Sequence, residues 1–446
     1  MTNLKLHIKE TAKLAAPISL GQLGHIMMGV VDSIMVGKIG YAPLAAASLV
    51  NGLFFLVLVI GIGMSWASTP LIAIAKGENK EAECGKILNH SLVANLSTSI
   101  LIFAAIYSLS FLIPYMNQPK EVALQAVPYL KVLTYSIFPF VIFQCYRQFL
   151  EGISLPNFPM IIAVAANFLN AFLNWVFIYG NLGAEKMGLY GAGLATTITR
   201  YVMAAALFLS VIYYKKISNY KPALNFKNID NHLLKKLFRI GLPSGFQYFL
   251  EIGCFSFATI MVGWIGSKQQ AAHQIALNLA SLTYMVMLGI SAAGTIRVGH
   301  ALGKKNVDEI RLAGFTAIGL SLALMFLFAV IMLLFKNILP TFYNNNPEVV
   351  SYASALLIIA GMFQLFDGLQ ATGVGILRGL TDVKVPMYTS LFSYWVIAIP
   401  VAFLLAFIFK LGVLGVWIGL LLGLASVGII LFVRFNIKSR EINPAD

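Results

Sequence analysis

The sequence predicts an all-α polytopic membrane protein: twelve transmembrane helices in two six-helix lobes, related by a pseudo-two-fold axis along the membrane normal. Three observations predict it. Hydrophobic residues are 59% of the chain and charged residues 11%, with mean hydropathy +0.83, more apolar surface than a soluble domain of this length hides in one core. The apolar residues gather into twelve runs, each at least as long as the roughly 20 residues that span a bilayer. The first half of the chain is also written again in the second.

The repeat can be followed residue by residue. Ile260–Gly266 (IMVGWIG) repeats Ile34–Gly40 (IMVGKIG). So short a match means little in an apolar chain, but it extends at the same offset without a gap. Pro17 meets Pro243, and Ala45 and Ala46 meet Ala271 and Ala272. Gly63, Ser65, Ala67, Thr69, Ala75 and Gly77 meet Gly289, Ser291, Ala293, Thr295, Ala301 and Gly303. One residue out of step, Gly152, Pro159 and Met160 meet Gly379, Pro386 and Met387. The expected lobes are residues 1–222 and 223–446. Six spans per copy is an even number, so both copies enter the membrane in one direction, as parallel repeats with a cavity between them.

The twelve runs fall at about 14–37, 45–74, 90–115, 126–150, 158–180, 188–214, 239–264, 271–300, 312–336, 350–378, 385–409 and 412–435. Their joints carry turn residues, among them Gly37, Gly40, Gly77-Glu78-Asn79, Pro114, Pro156 and Gly180. The longest connection, about 215–238, holds Lys215, Lys216, Lys221, Lys227, Lys235 and Lys236 and divides the copies.

A formal charge of +14 suggests a nucleic-acid partner until its distribution is read. The basic residues sit in short loops, and one set of loops is much the richer. That set carries Lys5, Lys9 and Lys13, then Lys76, Lys80 and Lys86, the central lysines, Arg297, Lys304, Lys305 and Arg311, Arg378 and Lys384, and Arg434, Lys438 and Arg440. Basic loops stay cytoplasmic. Both termini are therefore expected in the cytoplasm, in a monomeric multi-pass protein of the plasma (inner) membrane whose macroscopic partner is the lipid bilayer, not nucleic acid. The amphipathic start, MTNLKLHIKETAK, is followed by no small-residue cleavage site, so no cleaved signal peptide is expected. Cys84, Cys145 and Cys254 are scattered, which argues against a disulfide framework or a metal centre.

Nearly all the acids lie in loops or at helix ends. Asp32 in the first helix, Glu251 in the seventh and Asp367 in the tenth do not. Ionisable groups inside a membrane are costly and mark ion or substrate paths. A buried acid satisfied by a hydroxyl, an amide or Arg200 is the structural alternative for each. Gln247 and Phe255 stand one turn before and after Glu251 on one helical face. An acid beside an aromatic face suits an organic cation, drawn by the charge and by the ring quadrupole, though Phe255 equally suits packing. Gln274 and Asn278 share a face of the eighth helix, and Gln364 and Gln370 flank Asp367. Amides so placed border a wet cavity or bond between helices. Asn170 and Asn174 share a face of the fifth helix; with Asp32 they offer hard oxygens to a small cation, or they pack as an amide pair. The acids break the repeat: Asp32 aligns with Ala258, and Glu251 with His25. The scaffold is duplicated and its chemistry is not.

No HExxH, GxSxG or phosphate-cradling loop occurs, so an enzyme and an ATP-driven pump are not expected, and no cofactor is called for beyond a coupling ion. Two alternatives have weight: a flippase for a lipid-linked precursor, which would want several arginines at depth where only Arg200 is found, and an intramembrane lipid-modifying enzyme.

The segment AAHQIALNLASLTYMVMLGISAAGTIRVGHALG, with MMGVVDSIMVGKIG and FDGLQATGVGILRG, resembles the multidrug and toxic compound extrusion (MATE) transporters, the NorM-like branch most closely. The resemblance runs through the whole chain. It implies a two-lobed, twelve-helix exporter that expels organic cations in exchange for sodium ions or protons. By resemblance, Asp32, Asn170 and Asn174 fall on the first lobe's cation site. Glu251, Phe255 and Asp367 fall on the second lobe's cation and drug positions, with Gln274 and Asn278 beside them as substrate candidates. Asp32, Asn174, Glu251 and Asp367 are the sodium candidates. Two positions depart from the family pattern. Phe363 stands where some members have tyrosine, and Asn174 where archaeal-type members have an acid.

Overall fold

The computed structural model describes residues 2–220 and 229–442, and every predicted apolar run is helical in it. In the first repeat, α1 is Thr2–Gly37 and α2 is Tyr41–Gly77, interrupted at Trp66 and Ala67. Next come α3, Glu81–Leu112, and α4, a pair of helices, Lys120–Thr134 and Ile137–Gly152, bent by 43°. The repeat closes with α5, Asn157–Tyr179, and α6, Gly188–Tyr213. The second repeat has α7, Asn231–Ile265; α8, Ser267–Gly303; α9, Val307–Leu334; α10, Pro347–Gly379; α11, Lys384–Ile408; and α12, Gly412–Glu441. Among the described residues eleven helices are long and apolar enough to cross a membrane, and the bent α4 pair makes a twelfth. Leu101, Phe168 and Phe326 are more than 60% exposed, which suits side chains whose solvent is lipid.

The repeat extends to the turns. The α1–α2 and α7–α8 turns each rest on a glycine with positive φ, Gly40 at 143° and Gly266 at 154°, a conformation that a Cβ obstructs. Asn79 and Lys305, aligned by the repeat, are both left-handed, with φ of 59° and 56°.

The chain divides into two compact units: Leu20–Gly245, and Met1–Ser19 with Phe246–Asp446. The breaks on α1 and α7 are aligned by the repeat, since Ser19 matches Gly245 and Leu20 matches Phe246. The opening segment of each repeat's first helix thus belongs to the unit built on the other repeat. The expected boundary at 222/223 lies outside the described residues, as do Lys221 and Lys227.

Small residues make both exchanges fit. A Cβ on Gly63 would collide with the backbone of Gly245, and one on Gly289 with Ser19; such close crossings are how membrane helices gain packing energy. Polar anchors secure the exchanged ends. Arg297 of α8 donates to the His7 carbonyl at 3.0 Å and the Thr11 hydroxyl at 2.7 Å, and pairs with Glu10 at 3.1 Å. This is why α1 begins well before the predicted run at 14. At the start of α7, the Asp230 carboxylate accepts from the backbone N–H groups of His232 and Leu233 and from Lys86 of α3 at 2.8 Å. The Lys86 contact holds the Asp230 carboxyl down at about 2.

In the second-repeat unit, α11 contains two π-helical stretches, Leu391–Ala398 and Leu404–Ile408. Pro400, with no N–H to donate, lies between them. Gly415, Gly419 and Gly423 of α12 let the α11 backbone lie directly against them.

Candidate functional site

The predicted residues collect into two clusters, one in each compact unit. In the Leu20–Gly245 unit, Asp32 of α1 meets α5 and α6. One carboxylate oxygen accepts from Asn174 Nδ2 at 2.5 Å and the other from Thr196 Oγ1 at 3.0 Å. Asn174 Nδ2 also donates to Asn170 Oδ1 at 3.2 Å, and Asn170 Nδ2 to Thr196 Oγ1 at 3.4 Å, which closes a ring of polar groups. Both asparagines are fully buried, while Asp32 is 9% exposed. The Asn174 oxygen is buried with no hydrogen-bond partner, and a group in that position is normally satisfied. Asn170 and Asn174 reach Asp32 together because a spacing of four places them on one helical face.

Arg200 does not pair with Asp32. Its guanidinium donates to Ser136 Oγ at 2.7 Å and lies over the rings of Phe140 and Phe54, at 4.9 and 5.4 Å. It remains within electrostatic reach of the carboxylate.

In the other unit, Glu251 of α7 is 4% exposed and accepts three hydrogen bonds. Gln247 and Gln370 each donate to one oxygen at 3.1 Å, and the Tyr284 hydroxyl to the other at 3.0 Å. These partners come from α7, α10 and α8. Asp367 of α10, 5% exposed, accepts no side-chain hydrogen bond among the described residues and lies within electrostatic reach of Glu251. Phe255 packs edge-on against Phe363 at 6.0 Å, with Tyr394 at 6.3 Å. Gln364 is drawn elsewhere, accepting from Thr283 at 2.8 Å. Gln274 and Asn278 bond each other at 3.2 Å on an exposed face of α8.

Sequence reasoning missed Thr196, Tyr284 and one further buried pair. Hydroxyls are common in membrane helices and carry no signal until the partner helix is placed. The pair is Arg147 and Glu151 of α4, 2.6 Å apart and each under 5% exposed, with Arg147 also donating to Gln22 at 3.3 Å. Glu151 sits at a helix end, where an acid reads as solvated. Among the described residues no three His, Cys, Asp or Glu side chains are arranged to hold a metal ion between them. A cation held in either cluster therefore takes amide and hydroxyl oxygens beside one or two carboxylates. The three cysteines are buried free thiols.

Duplicated apolar spans with carboxylates buried inside them are the architecture of a multi-pass membrane transport protein. A profile of the MatE family matches residues 17–176 and again 243–404. The two matches begin at Pro17 and Pro243, which the repeat aligns. The chain is 34% identical over 444 residues to a probable multidrug resistance protein NorM of Mesorhizobium japonicum, covering 98% of this chain and 95% of that one. It is 30% identical over 439 residues to the multidrug resistance protein NorM of Vibrio cholerae, covering 97% and 96%. Solved structures share the fold. The eukaryotic MATE transporter AtDTX14 superposes with TM-score 0.88 at 21% identity over 98% of both chains. A MATE protein in its bent conformation gives 0.89 at 22% identity over 99% and 98%. The chain belongs to the MatE family of membrane transporters.

Proposed function

We propose that this chain is a secondary active multidrug exporter of the inner membrane, which expels small organic cations in exchange for sodium ions or protons. The observation that carries the reading is the Glu251 cluster, a carboxylate held inside the bilayer by three neutral donors beside aromatic rings, with a second carboxylate, Asp367, nearby. Neutral donors hold Glu251 in place and leave its charge for a cation. The Phe255 ring adds a face that favours organic cations. The NorM relatives named for multidrug resistance support the same reading.

Exchange follows from competition for these carboxylates. An organic cation lodges by Glu251, Asp367 and Phe255 from the cytoplasmic side. An incoming sodium ion or proton neutralises the carboxylates and releases it outward, and linkage makes the antagonism reciprocal. Asp32, with Asn170, Asn174 and Thr196, is the second cation-responsive cluster. Gln274 and Asn278, paired on an exposed face of α8, are assigned to substrate contact rather than to the ion. The protein acts as a monomer with both termini in the cytoplasm.

Expression in a drug-sensitive host tests this. The wild type is expected to lower steady-state accumulation of a cationic dye, and collapse of the sodium and proton gradients to restore it. Accumulation unchanged by expression, with the protein in the membrane, would sink the reading.

A further inference from the structure

Tyr394 lies at the heart of the second-repeat unit, fully buried. Its hydroxyl is nevertheless shut away from solvent with no hydrogen-bond partner. Tyrosine hydroxyls that are buried normally find a partner. Two bonds fix its position. Trp395 Nε1 donates to the Leu250 carbonyl at 3.1 Å, and the Cys254 thiol to the Tyr394 carbonyl at 3.8 Å. Leu250 and Cys254 bracket Glu251 along α7, so the π-helical turn carrying Tyr394 is docked at the level of that carboxylate. Its ring approaches Phe255, on which Phe363 also packs. Glu251 and Asp367 both act electrostatically on the Tyr394 hydroxyl, yet neither hydrogen-bonds to it. Tyr394 lies within a π-helical stretch, and such turns gather at functional sites. Ser390, just before this stretch, and Ser393 within it also bury hydroxyls without partners.

We propose that the Tyr394 hydroxyl is a third oxygen of the cation site formed with Asp367 and Glu251, and that it makes the site selective for a metal cation such as sodium over a proton. The inference rests on the exchange reading given above. A proton attaches to one carboxylate oxygen and needs no further ligand. A metal cation must be compensated for its lost hydration shell by several oxygens. Two ligands of one hard cation, each about 2.3–2.6 Å from it, need no hydrogen bond between them, and none joins Tyr394 to either carboxylate. Phe363 offers no oxygen from α10; Tyr394, whose ring also neighbours Phe255, supplies one from α11. Arg378, Tyr284, Tyr248 and Cys254 are the other charged or titratable groups in electrostatic contact with Glu251.

The test is displacement of rhodamine 6G, a fluorescent monovalent cation, from the purified full chain in detergent. Sodium replaces choline at constant ionic strength and pH 8, and acid is titrated separately in choline. Tyr394→Phe keeps the ring and is expected to raise the sodium concentration for half-displacement about tenfold. Dye affinity in choline and displacement by acid should stay as in the wild type. Asp367→Asn should blunt displacement by both ions. An unchanged sodium midpoint in Tyr394→Phe, with Asp367→Asn impaired, would overturn the role of Tyr394 and leave exchange standing. Wild-type dye released by acid but not by sodium would do the same. Weakened dye binding in choline by Tyr394→Phe would also overturn it, assigning the residue to packing or drug contact. If neither ion displaces dye from the wild type, exchange and the role of Tyr394 fall together.

Discussion

At the scale of single residues, the two acid clusters differ in how they are held. Asp32 is ringed by amides and a hydroxyl that would hold a neutral amide equally well. Asp32→Asn is therefore expected to fold, insert and lose export. Normal dye resistance at equal expression would return Asp32 to a structural role. Glu251→Gln keeps shape and removes charge; it should weaken dye binding, and the binding that remains should lose most of its response to sodium or acid. Phe255→Ala should weaken dye binding by about 0.5–2 kcal/mol, the range of a cation–π contact, with the ion response intact. Equal loss of both properties in both variants would mean misfolding instead. Asp32, Glu251 and Asp367 were legible in the sequence because a carboxylate in an apolar run has no cheap structural excuse. Asn170 and Asn174 were legible through their spacing. Thr196, Tyr284 and Tyr394 were not, since a hydroxyl gains meaning only when a distant helix brings an acid beside it.

At the scale of elements, the exchanged starts of α1 and α7 depend on crossings with no room for side chains. Gly289→Leu would drive a side chain into Ser19, whose hydroxyl donates to the Val286 carbonyl at 3.0 Å. Overpacking of this kind costs about 1–3 kcal/mol, and a lowered thermal midpoint in detergent is expected. Arg297→Met removes the hydrogen bonds that hold the first turns of α1. At about 1.5–3 kcal/mol for bonds to a charged group, the segment around His7 should become open to protease while α7–α12 stay protected. Unchanged cleavage would show that packing alone seats the segment. The helices themselves were predictable from length and hydropathy, and the turns from their glycines. The exchange was not, because the segment before Pro17 is amphipathic and reads as a solvated terminus until Arg297 is found against it. The π-helical stretches of α11 left no periodic signal in so uniformly apolar a run.

At the scale of the whole molecule, one scaffold used twice carries two different buried acid clusters, and the repeat shows where they diverge. Alignment sets Asp32 against Ala258 and Glu251 against His25, so each unit holds a buried acid cluster that the other lacks. The lysine distribution predicts that cysteines introduced at Lys5, Lys227 and Arg440 stay unlabelled by an impermeant reagent in intact cells, and labelling at any of them would reverse the topology. An electrogenic exchange would draw on about 2.3 kcal/mol per charge per 100 mV, enough to sustain a useful drug gradient. The most direct measurement is dye flux in proteoliposomes under ion jumps, with sodium and pH varied separately. Exchange requires that an imposed sodium or proton gradient drive dye against its own gradient, and that a dye gradient in turn drive the ion back. Dye that equilibrates at the same rate whether or not an ion gradient is present would contradict it.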